Sequence, residues 1–143
     1  MKIVDSHCHL DFDKFDGDFE DVIERAKKSG VCKILTICTK REQVGKNIDI
    51  CNRNKFIFFA YGIHPLNVGK EKIKISEIEK TSNHNKMIAI GETGLDYFYN
   101  RDNISLQKKS FINHIELSKK TNLPLIIHSR DADKDMEKIL KTE

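Results

Sequence analysis

Short runs of apolar residues alternate along this chain with longer stretches in which apolar residues recur every three or four positions. The runs hold many β-branched residues and no breaker, which predicts strands, while the spacing in the stretches between them predicts amphipathic helices. We predict five strands, which are the runs at Ile3-Val4, 31–39, 56–61, 87–90 and 125–127. We predict helices around Val22 and Ala26 and at 41–53, 75–80, 105–121 and 133–141.

Residues with special backbone preferences mark several of these boundaries. Gly30 and Asn122 stand where a left-handed residue ends a helix, and Ser105 stands where a cap begins one. Strand and helix alternate throughout with no hairpin signal, which predicts parallel strands joined by right-handed crossovers. We therefore predict a single α/β domain over residues 1–143, with its chemistry at the carboxyl ends of the strands.

Two histidines follow the first predicted strand. In an extended backbone alternate side chains point the same way, so His7 and His9 converge while Ser6 and Cys8 face the other side. Neutral imidazole nitrogens are good ligands for zinc and similar ions, so the pair is a candidate for metal binding. A surface pair of histidines would show the same spacing.

Two later strand ends add further candidates, Glu92 after the fourth strand and His128 after the fifth. A carboxylate beside imidazoles can bridge two divalent ions roughly 3.5–4 Å apart, a pair that clamps a phosphate and activates a water. The glycines on either side of Glu92 allow backbone to crowd around a ligand. An exposed loop acid at Glu92 and a buried structural histidine at His128 are the alternatives.

Three other residues are weaker candidates for contacting a substrate. His64, fixed by the following Pro65, is either a phosphate donor or a turn histidine. Arg130 can hold a phosphate bidentately, or pair with Asp131, or cap the next helix. Asp96 either orders the loop after Glu92 or touches substrate.

The other two histidines have ordinary explanations. His84 lies in a polar loop and His114 on a predicted helix, and we assign both to surface or packing roles.

Composition adds only broad limits. Of the 143 residues, 33% are charged and the formal net charge is +3, which permits contact with a polyanion but does not require it. The cysteines show no Cys-x-x-Cys spacing, and Cys32 and Cys38 fit small buried thiols in a reducing compartment. With no signal peptide behind Lys2 and no apolar run near the roughly 20 residues of a membrane span, we expect a cytoplasmic protein without membrane contact.

Four motifs in this order resemble the TatD family of metal-dependent deoxyribonucleases: Asp-Ser-His-Cys-His-Leu at 5–10, Gly-Ile-His-Pro at 62–65, Gly-Glu-Thr-Gly-Leu-Asp at 91–96 and Ile-His-Ser-Arg-Asp-Ala at 127–132. The resemblance covers the whole chain, and the element at 91–96 is quite specific. It implies a TIM-type (β/α) barrel, two divalent ions of the Mg, Mn or Zn class, and hydrolysis of phosphodiester bonds in DNA. Carried over, His7 and His9 would bind the first ion, Glu92 would bridge the two and act in catalysis, and His128 would bind the second.

The resemblance extends to about five of the eight strands of such a barrel. A barrel of this type typically needs about 250 residues, and family members contribute a further histidine and aspartate after this point. We therefore expect an incomplete barrel with open edges, self-association through those edges, and little DNA hydrolysis by residues 1–143 alone. The alternatives are a catalytically dead fragment, and a related metallohydrolase acting on a small ester, lactone or amide.

Overall fold

The computed structural model describes residues 1–70, 74–99 and 101–143. Five strands alternate with five helices along them. The strands are β1 (Ile3–Cys8), β2 (Val31–Cys38), β3 (Ile57–Tyr61), β4 (Met87–Asp96) and β5 (Leu125–Arg130). The helices are α1 (Phe19–Lys28), α2 (Val44–Arg53), α3 (Ile75–Thr81), α4 (Ile104–Thr121) and α5 (Asp133–Thr142).

The strands form one parallel sheet in the order of the chain, from β1 to β5. Each helix connects two neighbouring parallel strands or follows the last one, as the predicted crossovers require. The result is the half-barrel of an α/β protein, so the predicted fold class is confirmed. All five strands end on the same side, and the polar motifs of the sequence follow them to that side.

Apolar packing differs on the two faces of the sheet. The main core fills the space between the sheet and helices α1 to α4, and at its centre Ile23, Ile50 and Ile78 meet Phe59 and Ile90. The other face carries a smaller cluster made of strand residues only, built from buried Leu35, Ile37, Ala60 and Ala89. In a closed barrel this second face would be the interior.

Two strands are longer than the apolar runs predicted. β4 continues past Ile90 to Asp96, and β5 continues past Ile127 to Arg130, so Glu92 and His128 lie inside strands instead of in the loops after them. Pairing between the two strands explains the extension, because Gly94 lies opposite His128 and Asp96 lies opposite Arg130. A polar run can continue a strand wherever a neighbouring strand completes its backbone hydrogen bonds.

Two predicted helix ends are confirmed, and two predicted helix starts are wrong. Gly30 and Asn122 have φ values of 90° and 55°, so both left-handed stop signals are confirmed. Ser105 lies inside α4 and is not its cap, because Asn103 precedes the helix and its carbonyl oxygen accepts a hydrogen bond from the Gln107 N–H at 2.9 Å. Residues 41–43 form a 3₁₀ turn, and the α-helix begins only at Val44.

The outermost strands β1 and β5 each pair on one side only within the described residues. Apolar side chains are exposed on both, including Val4 at 60% and Ile127 at 41% of their surface. The open edges predicted from the strand count are therefore present in the structure. Among the described residues, none of the helices is long and apolar enough to span a membrane.

Candidate metal centre

The four predicted metal ligands come together at the carboxyl end of the sheet. His7 lies near the end of β1, His9 directly follows that strand, Glu92 lies in β4 and His128 in β5. The turn after β3 adds His64, which the sequence had suggested only as a substrate contact. Their donor atoms form two groups, His7–His9–Glu92 and His64–Glu92–His128, and within each group all lie within 4.8 Å of one another.

Glu92 is the member that the two groups share. The residue is buried, at 8% exposure, and the two oxygens of its carboxylate face different histidines. Oε2 lies 3.3 Å from Nε2 of His7, while Oε1 lies 3.1 Å from Nδ1 of His128 and 3.9 Å from Nε2 of His64. A carboxylate in this position can give one oxygen to each of two ions.

His9 is held so that one ring nitrogen remains available. Its Nδ1 lies 2.9 Å from the backbone carbonyl oxygen of Ile37 and donates a hydrogen bond to it. In the neutral ring Nε2 therefore carries no proton and has a lone pair available. The Phe12 ring stacks on the imidazole, with centroids 4.8 Å apart and planes 12° from parallel. A hydrogen bond from the second nitrogen to a carbonyl is the usual way in which proteins orient metal-binding histidines.

His128 is held in the same way by Asp96. Nε2 of the imidazole lies 3.0 Å from Oδ2 of Asp96, so Nδ1 is the nitrogen directed at Glu92. The other carboxylate oxygen of Asp96 accepts hydrogen bonds from the backbone N–H groups of Phe98 and Tyr99, at 3.1 and 3.0 Å. The Asp96 side chain is completely buried. Asp96 thus orders the residues that follow β4, which is one of the two roles that the sequence suggested for it.

His64 is held by a hydrogen bond of the opposite direction. The backbone N–H of Leu66 donates to its Nδ1 at 3.2 Å, so the neutral ring carries its proton on Nε2. That nitrogen faces Nδ1 of His128 at 3.2 Å and Oε1 of Glu92 at 3.9 Å. In this tautomer His64 presents a donor to the site, which suits an anionic oxygen better than a cation.

The charges of the cluster shift the pKa values of its members. Burial raises the pKa of Glu92, but the hydrogen bond with His128 and the neighbouring imidazoles outweigh burial and lower it overall. The pKa of His128 is raised, chiefly by the hydrogen bond to Glu92 and also by Asp96, against the effect of burial. Burial is the main reason that the pKa of His64 is lowered. The site therefore combines carboxylates whose pKa values are lowered, Glu92 and Asp96, with a histidine, His128, that binds a proton more strongly than a free imidazole does.

Glycines in β4 allow the strands to approach closely enough for these contacts. Gly94 has a φ of 142°, and a Cβ atom there would lie 2.1 Å from the carbonyl oxygen of His128. Gly91, with a φ of 134°, has the same relation to Ile126, with a Cβ-to-oxygen distance of 2.5 Å. The glycines at 91 and 94 thus admit the backbone of β5.

Two supporting contacts were missed by the sequence interpretation. The first is the Asp96–His128 pair, for which the even spacing between Glu92 and Asp96 in a strand was an available signal. The second is His114, which is completely buried, donates from Nδ1 to the Ser110 carbonyl at 2.7 Å and accepts from the Ile63 N–H at 3.1 Å. His114 has a packing role, as one of the two roles assigned to it had anticipated.

Arg130 lies at the edge of the site, whereas His84 precedes β4 and lies at the other end of the sheet. Arg130 is exposed at the end of β5, and its guanidinium lies 5.1 Å from the centre of the Tyr99 ring. Within the described part of the chain it forms no ion pair with Asp131, the alternative partner that the sequence suggested. His84 is half-buried, accepts from the Lys86 N–H at 3.2 Å and packs beside Phe59.

The donor set fits divalent ions. Neutral imidazole nitrogens and a shared carboxylate are ligands for zinc, manganese and related metals. His9 presents a lone pair on Nε2, and His128 would present one on Nδ1 after releasing the proton that it donates to Glu92. The His7 side chain is 41% exposed, so the cluster can be reached from solvent there. Residues His7, His9 and Glu92 would hold one ion, and Glu92 with His128 would hold another.

Comparison with known proteins agrees with this chemistry. Residues 4–143 match the sequence profile of the family described as TatD related DNase. An uncharacterised metal-dependent hydrolase of Bacillus subtilis, YabD, is 39% identical over 142 residues, which are 99% of this chain and 56% of that protein. The mouse protein TATDN3, described as a putative deoxyribonuclease, is 29% identical over 159 residues, which cover 100% of this chain and 53% of that protein.

A solved structure shows the same fold. The Escherichia coli TatD homologue YjjV superposes with a TM-score of 0.88 at 30% sequence identity. The match covers 98% of this chain and 55% of the YjjV chain. The chain thus spans about half the length of the curated relatives that it matches.

Proposed function

This chain belongs to the family of TatD-related DNases, and we propose that it carries the two-metal part of a site that hydrolyses phosphodiester bonds in DNA. The observation that supports this most directly is the position of Glu92, whose two carboxylate oxygens face two separate groups of histidines. Two bound divalent ions would polarise a phosphoryl oxygen and lower the pKa of a water molecule.

Glu92 would bridge the ions and, by remaining ionised, keep them close together. Its lowered pKa favours this, because a protonated carboxyl group has one fewer oxygen to offer. The carboxylate of Asp96 would act through His128, by keeping a proton on Nε2 and the lone pair on Nδ1. Asp96 is therefore a positioning residue in this proposal, and it need not touch the substrate.

His64 would donate a hydrogen bond to a non-bridging phosphate oxygen. The Leu66 amide keeps Nδ1 occupied, so the proton is on the nitrogen that faces the site. Because burial lowers the pKa of His64, the ring is neutral at neutral pH and this donor does not repel the cations. The exposed guanidinium of Arg130, two residues after His128, would add a charge for a neighbouring phosphate.

The test separates metal binding from hydrolysis. Titration calorimetry with Mn²⁺ or Mg²⁺ should detect two ions in the wild type, and Glu92→Gln should weaken the second more than the first because the bridge is lost. Glu116→Gln is the matched control, since Glu116 is an exposed helix residue paired with Lys119. Equal weakening of both ions, or none, would contradict the bridging role.

Hydrolysis is measured on the same proteins with single-stranded and double-stranded DNA, with each metal and with EDTA. We expect little turnover from residues 1–143, and metal-dependent cleavage that disappears in Glu92→Gln and persists in Glu116→Gln. Cleavage of a simple ester or lactone without cleavage of DNA would favour the small-molecule alternative instead. Metal binding without any hydrolysis would favour a catalytically inactive chain.

A further inference from the structure

Two adjacent aromatic side chains are exposed beside the metal ligands. Phe98 and Tyr99 follow β4 in a turn, and 61% and 62% of their respective surfaces are accessible. Their rings meet edge to face, with centroids 4.7 Å apart and planes at 89°. Exposing two large rings side by side forfeits the free energy that their burial would contribute, so such a pair suggests a ligand.

The turn that carries these rings is fixed to the metal site through one side chain. Oδ1 of Asp96 accepts hydrogen bonds from the backbone N–H groups of both Phe98 and Tyr99. Oδ2 of the same carboxylate accepts from Nε2 of His128. The position of the rings relative to His128 is therefore set by a buried group and does not depend on the turn alone.

A cation accompanies the aromatic pair. The guanidinium of Arg130 lies 5.1 Å from the centre of the Tyr99 ring, at the end of the strand that carries His128. A guanidinium next to an exposed ring can hold the phosphate of a nucleotide whose base lies on that ring.

The opposite side of the site repeats this combination. Phe12 stacks on His9, and the Lys14 ammonium lies 5.6 Å from the centre of the Phe12 ring and 5.0 Å from that of Phe15. Aromatic rings with adjacent cations thus lie at both the β1 and the β4 side of the metal ligands. Proteins that bind single-stranded nucleic acid combine these two features, since any base can stack and every nucleotide carries a phosphate.

We propose that Phe98 and Tyr99 form a stacking surface for unpaired nucleobases, with Arg130 holding the adjoining phosphate. The inference rests on the proposed function and narrows its substrate class to single-stranded or frayed nucleic acid. Bases within an intact duplex present no free face to these rings. Stacking is insensitive to base identity, so this surface would select for an unpaired strand and not for a sequence.

The test measures binding without cleavage. A short oligothymidylate and an abasic oligonucleotide of the same length and charge are titrated in EDTA, with fluorescence anisotropy of an end label as the readout. The wild type should bind the oligothymidylate about 5- to 100-fold more tightly than the abasic strand, the range expected for stacking one base. A blunt hairpin of equal charge should behave like the abasic strand.

The variants separate ring stacking from non-specific hydrophobic binding. Phe98→Leu combined with Tyr99→Leu keeps apolar surface but removes both rings, and it should abolish the preference for bases while leaving abasic binding unchanged. Leu140→Ala, an exposed apolar residue of α5 that is 47% accessible, is the control and should keep the preference.

Three results would overturn the inference. Equal binding of both oligonucleotides by the wild type would refute stacking while leaving a nucleic-acid substrate in place. A preference that survives in the double variant would place stacking elsewhere. Binding of neither oligonucleotide would count against the proposed function as well as the stacking surface.

Discussion

The buried histidine of α4 predicts a measurable loss of stability in mild acid. His114 is completely buried, and burial lowers its pKa from 6.5 to about 4, against a hydrogen bond to the Ser110 carbonyl that raises it. In the unfolded chain the same imidazole takes up its proton near the ordinary value. Between these two pKa values the unfolded state binds more protons, so the free energy of unfolding must fall as the pH falls.

The size of the effect follows from the two pKa values. A shift of this extent removes about 1.5 kcal/mol of stability by about pH 5.5 and about 2.5 kcal/mol by about pH 4.5, with almost no effect above neutral pH. The structure also shows what protonation breaks. Nε2 accepts a hydrogen bond from the N–H of Ile63, and an added proton there would replace an attraction with a repulsion. Because Ile63 precedes His64, acid should disturb the site before the whole fold is lost.

Urea unfolding of the wild type and His114→Gln across this pH range tests the prediction. Glutamine can accept from the Ile63 amide but does not titrate, so the difference between the two proteins isolates His114 from the other ionisable groups. The difference in unfolding free energy between the two proteins should change by the stated amounts as the pH falls. If the variant folds poorly, an NMR titration of the wild-type imidazole gives the pKa directly. Parallel stability curves, or a midpoint near 6.5, would refute the reasoning.

Three further changes have expected outcomes. Asp96→Asn should weaken metal binding about 10- to 100-fold by calorimetry and alter the His128 tautomer in ¹⁵N NMR spectra; unchanged affinity would contradict the positioning role. Gly94→Ala should cost about 1–3 kcal/mol or more of unfolding free energy, because a side chain at this φ is strained and its Cβ would meet the His128 carbonyl, whereas Gly45→Ala, with nothing within 4 Å, should be nearly neutral. Val4→Lys, on the exposed β1 edge, should reduce self-association in sedimentation velocity, and a monomeric wild type would show that the edges do not associate.

The sequence predicted the strands and their order well because local signals decide them. Runs of apolar residues and left-handed stops such as Gly30 act within a few positions, and the half-barrel follows from their alternation. The convergence of His7, His9, Glu92 and His128 was also within reach, since parallel strands end on one side of a sheet.

What the sequence did not predict depends on strand register and on helix packing. Asp96 meets His128 across 32 positions of the chain, and His114 meets Ile63 across 51. No local pattern specifies which side chain lies opposite another at such separations. The predicted lengths of β4 and β5 were too short for the same reason, because the two strands pair with each other beyond their apolar runs. The supporting contacts of the site therefore depend on tertiary structure, whereas its metal ligands can largely be predicted from local sequence patterns.

Those supporting contacts decide what each histidine can do. His9 donates a hydrogen bond from one ring nitrogen to a backbone carbonyl, and His128 donates one to a carboxylate, so in each neutral ring the other nitrogen holds a lone pair for a cation. Nδ1 of His64 accepts a hydrogen bond from the backbone N–H of Leu66, so the proton of the neutral ring is on the nitrogen directed at the site. The same side chain thus acts as a ligand or as a donor according to the direction of a single hydrogen bond. The raised pKa of His128 adds that protons and cations compete for the nitrogen facing Glu92, so metal affinity must fall as the solution becomes acidic.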